Sequence, residues 1–316
     1  MRLHFALAVL GLIVVTVLIV LSAEMTTMEK RTNGGEAPAF GSFSGRNSTS
    51  LRHDNEGMEE ANEFDAVDLR RPNLHFATYG NGAYAGAKAR LVSEANSTGW
   101  FSTIHPYGPE DLPSSFSDRF KEILRLERGG GYWCWKIPVI EMTLESMKDG
   151  DVLVYLDAGC EVNAAAENRF RQYVRLLADS PYDIFSFEMP QHREDSWTTE
   201  NIFQAFGVAT SDATIRETGQ YVGGIFLVRK GQHAKSWIES VKKVIELDPW
   251  LLTDIYNVDN KKKNSNFKEN RHDQSILSVS RKIAGGVTLR DETYPSNQEE
   301  FPFWASRKKG KGKDRG

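Results

Sequence analysis

Short apolar runs alternate with amphipathic segments through most of the chain. The runs are rich in β-branched and aromatic residues, which predicts strands over residues 74–79, 100–105, 151–156, 183–187, 225–229 and 286–290. The segments between them place apolar residues at helical spacing and predict helices up to about residue 96 and over residues 137–147, 165–178, 232–247 and 273–282. Strands that alternate with helices indicate an α/β fold, a mostly parallel sheet flanked by helices, with its ligand crevice at the carboxyl ends of the strands.

The N-terminal segment has a different pattern. Residues 3–23 are almost wholly apolar, and a helix of that length would cross the hydrocarbon core of a bilayer. Because a cleaved signal peptide usually has a shorter apolar core, we expect a signal anchor over residues 1–23, with a signal peptide as the alternative. Either one places the rest of the chain in the secretory pathway, where Asn47 and Asn96, each in an Asn-Ser-Thr triplet, would be glycosylation acceptors.

Composition separates the regions that follow this segment. Residues 24–71 are mainly Gly, Ser, Thr, Asn, Glu and Asp, which predicts a flexible stem. The folded domain is expected over residues 72–305, and the basic residues 306–316 are expected to form a solvated tail. The net charge of −4 over 316 residues offers no general field that would attract a polyanion, so nucleic acid is not an expected partner.

Cys134 and Cys160 are the only cysteines in the sequence. An oxidising lumen would allow them to form one disulfide. The alternative is a pair of small buried thiols, because the sequence does not fix the distance between the two Cα atoms.

The strongest local feature is the strand over residues 151–156 and the acid that follows it. Its Val-Leu-Val-Tyr-Leu run suits the centre of a sheet that is covered on both faces. This strand delivers Asp157 to the edge where the ligand crevice opens. A carboxylate there could hold Mg²⁺ or Mn²⁺ beside the oxygens of a nucleotide diphosphate. The alternative is an ordinary turn residue, since Asp and Gly are frequent in turns.

Aromatic residues after the glycines at 129–131 form a second candidate site. Tyr132, Trp133 and Trp135 offer flat faces to a base or a sugar ring, and Lys136 could place its ammonium against phosphate. The alternative is packing, because large aromatic side chains are usually buried.

In these residues the sequence resembles glycosyltransferases of the GT-A nucleotide-diphospho-sugar type. Their Asp-x-Asp motif often appears as Tyr-Leu-Asp-x-Asp at the end of such a strand, and residues 155–160 here read Tyr-Leu-Asp-Ala-Gly-Cys. Further segments resemble a largely uncharacterised group within that class, in order between about Asn73 and Lys282: residues 131–136, 150–151, 197–198, 202–203 and 272–277, with Gln220. The resemblance covers most of the expected folded domain.

The resemblance implies a GT-A-like, Rossmann-like domain that transfers a sugar from a nucleotide-sugar donor to a hydroxyl acceptor on a glycan, protein or lipid. Together with the N-terminal segment, it implies a single-pass type II protein of the Golgi or endoplasmic reticulum membrane. Its catalytic domain would face the lumen, and secretion is the alternative.

The resemblance also implies roles for single residues. Asp157 and Asp273 are the expected catalytic residues; Asp273 would orient an acceptor hydroxyl or take its proton, and a helix cap is its alternative role. The expected donor-binding residues are Trp135, Lys136, Tyr155, Asp157, Ala158 and Gly159. The expected acceptor-side residues are Trp197, Gly223, Gly224 and Gln274, for which a surface loop and a strand-entry turn are the alternatives.

Gly159 departs from the usual motif, because it stands where the second Asp would reach the metal. Dependence on Mn²⁺ or Mg²⁺ would then need another ligand, and Glu161 could supply the oxygen or lie in solvent. A non-catalytic carbohydrate-binding protein with this fold is therefore the alternative function. A nucleotidyltransferase is a weaker one, because the first strand has no glycine-rich phosphate loop of the required type beside it.

Overall fold

A computed structural model describes residues 72–294 and 298–308 of this chain, all within the unit Glu63–Gly316. The strands of this part of the chain are β1 (Leu74–Tyr79), β2 (Thr103–Tyr107), β3 (Val152–Leu156), β4 (Glu161–Val162), β5 (Ile184–Arg193), β6 (Gly219–Tyr221), β7 (Ile225–Arg229), β8 (Val287–Arg290) and β9 (Phe303–Trp304). A large sheet has the strand order β2-β1-β3-β7-β5-β6, with β8 also paired to β5, and a small sheet pairs β4 with β9.

The sheet is mixed but largely parallel. Strands β1, β2, β3, β5 and β8 run in one direction, and β6 and β7 run in the opposite direction. The predicted largely parallel α/β sheet is therefore confirmed. The central position predicted for residues 151–156 is confirmed too, because β3 pairs with β1 on one side and β7 on the other and all its residues are buried.

Helices cover both faces of the sheet. They are α1 (Ala85–Thr98), α2 (Ser114–Arg119), α3 (Lys121–Leu124), α4 (Lys136–Ser146), α5 (Glu167–Ala178), α6 (Glu194–Trp197), α7 (Glu200–Ala205), α8 (Ala213–Arg216), α9 (Gln232–Leu247), α10 (Asn257–Lys263) and α11 (Asp273–Ala284). Single 3₁₀ turns lie at Gly82–Tyr84, Pro109–Asp111, Ala164–Ala166, Pro249–Leu252 and Gln298–Glu300, and a left-handed turn lies at Gly129–Tyr132.

The hydrophobic core has two layers, one on each face of the sheet. Alternate residues of β3 supply both, with Leu153 and Tyr155 in the layer under α4, α9 and α11, and Val154 in the layer under α1 and α5. Helix α9 shows why such helices form: its buried residues Trp237 and Val241 recur at the spacing of one helical face. A strand buried on both faces needs apolar residues throughout, which β3 supplies.

The two cysteines lie on opposite faces of this sheet. Cys134 belongs to the layer under α4 and Cys160 to the layer under α1, and both are free and buried. Burial raises the pKa of the Cys134 thiol to about 12 and raises that of Cys160 as well. The structure therefore matches the alternative of two buried thiols, because the sheet separates them.

Some predicted elements differ from the structure at their ends. Strand β2 begins at Thr103 instead of at residue 100, and β5 continues to Arg193, beyond the predicted end at residue 187. Residues 194–216, for which the sequence pattern predicts neither strand nor helix, hold the three short helices α6, α7 and α8. Beyond residue 305, within the predicted tail, the backbone N–H of Lys308 donates to the carbonyl of Gly159 at 2.8 Å.

The predicted anchor or signal peptide at residues 1–23, the stem at 24–71 and Asn47 lie outside the described residues. So do residues 309–316 of the tail. Among the helices of residues 72–294 and 298–308, not one is long and apolar enough to cross a membrane. Asn96 is exposed in the last turn of α1.

Candidate functional site

The carboxyl end of β3 meets the start of β7, because these two strands are antiparallel neighbours. Asp157 follows β3 directly, and its backbone N–H donates to the carbonyl of Gly224 at 2.8 Å. Gly224 permits this approach, since a Cβ there would lie 2.6 Å from Asp157 Oδ2. The side chain of Asp157 keeps 33% of its surface exposed. Its carboxylate is therefore open to a ligand at the edge predicted from the sequence.

Lys136 lies beneath Asp157, and only 1% of its side chain is exposed. Its Nζ lies 3.0 Å from Asp157 Oδ1, 2.5 Å from Asp273 Oδ2 and 3.0 Å from the carbonyl oxygen of Gly223. These acceptors match the three hydrogens of an ammonium. The structure thus brings Lys136, Asp157 and Asp273 together as one charge cluster. It directs Lys136 at the two carboxylates, and the predicted contact of Lys136 with a donor phosphate stays a prediction.

Tyr155 fixes the orientation of the Asp157 carboxylate. Its hydroxyl donates to Asp157 Oδ1 at 2.8 Å, and its ring is fully buried against Phe226. Lys136 Nζ lies 5.3 Å from the centroid of the same ring. Asp157 Oδ1 is therefore held by two protein donors, which leaves Oδ2 as the oxygen available to a ligand.

Burial and the sharing of one ammonium by two carboxylates together shift the pKa values in the charge cluster. Burial opposes the charged form of Lys136, but Asp157 and Asp273 outweigh burial and raise its pKa. Burial raises the pKa of Asp273 from 3.8 to about 6; Lys136 opposes the rise and Asp157 adds to it. Lys136 therefore stays protonated at neutral pH, while Asp273 titrates near pH 6.

Backbone strain beside Asp273 fixes its position at the start of α11. His272 has a φ of 59° and a ψ of −124°, a region that is costly for a residue other than glycine. Its Nε2 lies 3.1 Å from Asp254 Oδ1, and its ring stacks on Trp133 with centroids 5.6 Å apart. These contacts hold His272 in the strained conformation and so direct Asp273 at Lys136.

A left-handed turn supports this arrangement from behind. Every residue from Gly129 to Trp133 has a positive φ, up to 96° at Gly131. Tyr132 then donates its hydroxyl to Asp254 Oδ2 at 3.0 Å, and Trp133 packs on His272, so the turn carries two of the contacts around Asp273. The predicted aromatic faces are therefore used within the protein.

Trp135 follows the same turn and lies in the core. Its ring stacks on Tyr79 with centroids 3.9 Å apart, and its Nε1 donates to the carbonyl of Gly129 at 3.0 Å. Only 5% of its surface is exposed. Trp135 therefore packs in the core, as the alternative to a binding role expected. Its predicted contact with a donor stays a prediction.

Amide side chains connect the predicted acceptor-side residues. Gly223 donates its backbone N–H to Gln274 Oε1 at 3.2 Å, and Gln274 Nε2 donates to Gln220 Oε1 at 2.7 Å. Gln220 is fully buried and donates to the carbonyl of Trp197 at 3.2 Å. A Cβ at Gly223 would lie 2.7 Å from that of Gln274, which explains the glycine. These residues form one network beside the charge cluster.

Ala158, Gly159 and Glu161 form the turn that leaves Asp157. The carbonyl of Ala158 accepts from Arg90 at 3.1 Å, and Glu161 pairs with Lys308 Nζ at 2.5 Å. A group of three His, Cys, Asp or Glu side chains able to hold a metal ion is absent from the described residues. The residues present therefore do not fit a divalent cation held by Asp157 and Glu161, because one Asp157 oxygen and the Glu161 carboxylate already have protein cations as partners.

The structure adds residues to the site that the sequence did not single out: Asp254 as the partner of His272, and the arginines Arg271 and Arg307. Gln220, which the sequence named without a role, is the amide link. Arg271 directly precedes the His272–Asp273 segment, which was a local signal. Asp254 and Arg307 reach the site through tertiary contacts, and local patterns carry no sign of them.

Comparison with known proteins yields distant structural matches alone. The sequence matches no family model, and a search of curated proteins finds no relative. A glycosyltransferase involved in glycosylation of the major capsid of PBCV-1 matches with a TM-score of 0.37 at 14% identity, covering 74% of this chain and 94% of its own. Mouse xyloside xylosyltransferase 1 matches with a TM-score of 0.34 at 10% identity, covering 70% and 85%.

A third match is the galactosyltransferase LgtC in complex with donor and acceptor sugar analogs. Its TM-score is 0.30 at 13% identity, covering 68% of this chain and 72% of its own. These similar structures are all glycosyltransferases, but scores and identities this low do not assign an activity to this chain.

Proposed function

We propose that this chain is a GT-A-type glycosyltransferase that transfers a sugar from a nucleotide-sugar donor to a hydroxyl acceptor. The observation that carries the proposal is the charge cluster of Lys136, Asp157 and Asp273 at the carboxyl end of β3. Ligands of open α/β sheets bind in the crevice at this edge. At this edge a buried ammonium orients a partly exposed carboxylate. An ordinary turn Asp would not need such a buried partner, so the arrangement indicates a binding site.

The chain's own groups define the steps of the proposed reaction. Asp157 Oδ2 accepts hydrogen bonds from hydroxyls of the donor, because Oδ1 is held by Tyr155 and Lys136. Transfer breaks the bond from the anomeric carbon to the phosphate oxygen and forms a bond to the acceptor oxygen. The nucleoside diphosphate leaves with the electron pair of the broken bond, and its phosphate oxygen takes the proton that the acceptor hydroxyl loses.

For Asp273 we propose a role other than the acceptor contact that the sequence predicts. Its side chain is 10% exposed and is paired with Lys136. We therefore propose that Asp273 positions Lys136, and through it Asp157, instead of meeting the acceptor directly. The acceptor would enter beside Gln274 and Trp197, where amides lie next to the charge cluster.

The proposed cellular setting of this activity rests on the N-terminal residues. The apolar run at residues 3–23 supports a membrane anchor in the Golgi or endoplasmic reticulum with the catalytic domain in the lumen. A secreted form is the alternative, and a glycan, protein or lipid would supply the acceptor hydroxyl. Removal of the glycans by a deglycosylating enzyme, seen as faster gel migration, would support lumenal exposure of Asn47 or Asn96.

The proposal is tested by replacing Asp157 with asparagine, which keeps the shape of the side chain and removes its charge. The purified protein is incubated with a panel of nucleotide-sugars, and release of nucleoside diphosphate is measured with and without acceptors. We expect Asp157→Asn to lose most activity, about a hundredfold or more, with an unchanged unfolding midpoint. Asp149→Asn is the matched control, because Asp149 is exposed at the opposite end of β3.

The alternative function is a non-catalytic carbohydrate-binding protein, which Gly159 favours because it removes a carboxylate from the motif. Wild-type protein that binds sugars but releases no nucleoside diphosphate from any donor would support this alternative. Near-wild-type transfer by Asp157→Asn would remove Asp157 from the site. Release of pyrophosphate would instead indicate a nucleotidyltransferase.

A further inference from the structure

Positive side chains without ion-pair partners border the charge cluster. Lys268, Arg271 and Arg307 form this group, called here the cationic rim. Arg271 Cζ lies 4.0 Å and Lys268 Nζ 5.1 Å from the ring centroid of Trp197. Within residues 72–294 and 298–308, the side-chain nitrogens of these three residues make no hydrogen bond or salt bridge. The exposed carboxylate of Glu269 raises the pKa of Arg271 through its charge, but it forms no salt bridge with Arg271.

The electrostatics of the rim indicate a missing anion. Burial lowers the pKa of Arg271, and the nearby Arg307 lowers it further. Burial also lowers the pKa of His192, as do Arg271 and Lys268, whereas Asp291 opposes them. Lys268 and Arg307 are exposed, but Arg271 is half-buried, and a partly desolvated cation without a partner is costly. A bound anion would remove that cost.

Two unpartnered polar atoms lie against the same cations. Trp197 Nε1 and His192 Nδ1 are buried and have no hydrogen-bond partner in the described part of the chain. Their rings are neighbours, with centroids 5.5 Å apart, and Arg271 stacks on Trp197. Buried polar groups usually have partners, so these atoms point to a ligand that completes the rim.

The rim adjoins the turn that carries Asp157. A Cβ at Gly159 would lie 3.3 Å from Arg307 Cα, and the carbonyl of Gly159 accepts from the backbone of Lys308. Arg271 precedes Asp273 by one intervening residue and acts electrostatically on Arg307. The backbone of Arg307 therefore lies against the position where the resembling motif has its second carboxylate.

We propose that Arg271 and Arg307, with Lys268 beside them, bind the diphosphate of the nucleotide-sugar directly and neutralise its charge without a metal ion. A guanidinium presents two parallel N–H donors that match phosphate oxygens, and two such groups balance much of the charge of a diphosphate. The inference rests on the proposed function, since it assigns a subsite to the same cleft. It also explains why the turn after Asp157 has glycine at position 159, where Arg307 packs.

The experiment uses inorganic pyrophosphate as the probe and measures its binding to the folded protein by titration calorimetry in the presence of a chelator. We expect wild-type protein to bind it, and Arg271→Gln and Arg307→Gln each to weaken the binding about tenfold. Arg175→Gln is the matched control, because Arg175 is exposed on α5 and its side chain has no hydrogen-bond or ion-pair partner in the described part of the chain. Arg175→Gln should bind like the wild type.

Arg271→Gln could also disturb packing on Trp197, so the unfolding midpoint is measured for each variant. If Arg271→Gln is destabilised, Arg307→Gln decides, because Arg307 is exposed. Unchanged pyrophosphate affinity in Arg307→Gln would overturn the inference, and so would binding that requires added Mg²⁺ or Mn²⁺. Preferential binding of a uronic acid over pyrophosphate would also overturn it and would assign the rim to an acidic acceptor.

Different results would contradict this inference and the proposed function. If the protein transfers sugar and its KM for the donor is unchanged in both arginine variants, the proposed function stands but the cationic rim does not bind the donor. Conversely, arginine-dependent pyrophosphate binding by a protein that releases no nucleoside diphosphate would support the rim as an anion site and reject the transferase.

Discussion

Lys136 shows how much one residue can organise. Its ammonium, which is 1% exposed, joins Asp157 to Asp273 and also binds the carbonyl of Gly223, so it ties β7 and α11 to the end of β3. A buried ion pair adds little net stability compared with an apolar pair, but removal of one partner leaves an uncompensated buried charge. The role of Lys136 is therefore to fix where the two carboxylates lie.

The predicted consequence is a stability defect. Lys136→Met should lower the free energy of unfolding by about 3 kcal/mol, because two carboxylates lose their shared cation. A phosphate contact in the cleft, as the sequence predicts, would make the same change mild. Denaturant unfolding measures the effect, and Lys235→Met, on the exposed face of α9, is the control.

A second variant separates charge from packing. In Lys136→Met/Asp273→Asn one buried carboxylate is removed as well, so the double variant should be more stable than Lys136→Met alone. A double variant that is equally or less stable would show that the lost side-chain packing, and not the unpaired charge, causes the defect.

Asp273 gives the site a predicted pH dependence. The folded-state pKa of Asp273 is raised to about 6, so protonation of Asp273 favours folding. That contribution to stability is full below about pH 4 and is lost as the pH rises through about 6. Activity should follow the opposite course, because only the ionised carboxylate holds Lys136.

We therefore expect kcat/KM for the donor to rise with pH up to about 6 and then to level off. Asp273→Asn should remove this acidic limb and lower the plateau. The measurement is the pH–rate profile of both proteins in constant ionic strength. A limb that persists unchanged in Asp273→Asn would assign the titration to another group.

At the scale of elements, the left-handed turn at Gly129–Tyr132 has the largest influence on the site. Its residues have positive φ angles, which cost about 1–2 kcal/mol for each residue that carries a Cβ. The chain places glycine at three positions but accepts this cost at Tyr132 and Trp133, whose side chains contact Asp254 and His272. Part of the stability of the domain is thus used to position Asp273.

Gly131→Ala should destabilise the protein by about 2 kcal/mol or more. A Cβ there would lie 2.8 Å from Leu124 Cα, and the φ of 96° is unfavourable for alanine. Thermal unfolding measures the loss, with Gly82→Ala as the control, because a Cβ at Gly82 would meet nothing within 4 Å. Equal midpoints for both variants would mean that the turn relaxes without cost.

For the whole molecule, the sequence predicts the layers of the domain better than the site. Buried runs such as residues 151–156 and the helical spacing of residues 232–247 are local properties, and both elements lie where predicted. The direction of β7 and the pairing of the short β6 are set by tertiary contacts and could not be read from periodicity.

The same physical limit applies to the site residues. The position of Asp157 follows from its strand, so it could be predicted. For Lys136 the sequence predicts a contact with donor phosphate, and only the fold shows that it meets Asp157 and Asp273 from separate segments. Arg307 was assigned to a solvated tail, because the strand pair β4–β9 that brings it back to Gly159 has too few residues to give a pattern.

The late position of β9 in the chain sets an order of events during synthesis. Every strand of the large sheet precedes Phe303, so the ribosome makes the residues of the sheet and of the charge cluster before it makes the segment that packs on Gly159. Domains generally fold as units, so synthesis order does not separate the folding of these parts. It does separate their chemistry in an interrupted product: a polypeptide that stops before Phe303 contains Lys136, Asp157 and Asp273 but lacks Arg307. If the rim binds the diphosphate, such a polypeptide would have little affinity for the donor.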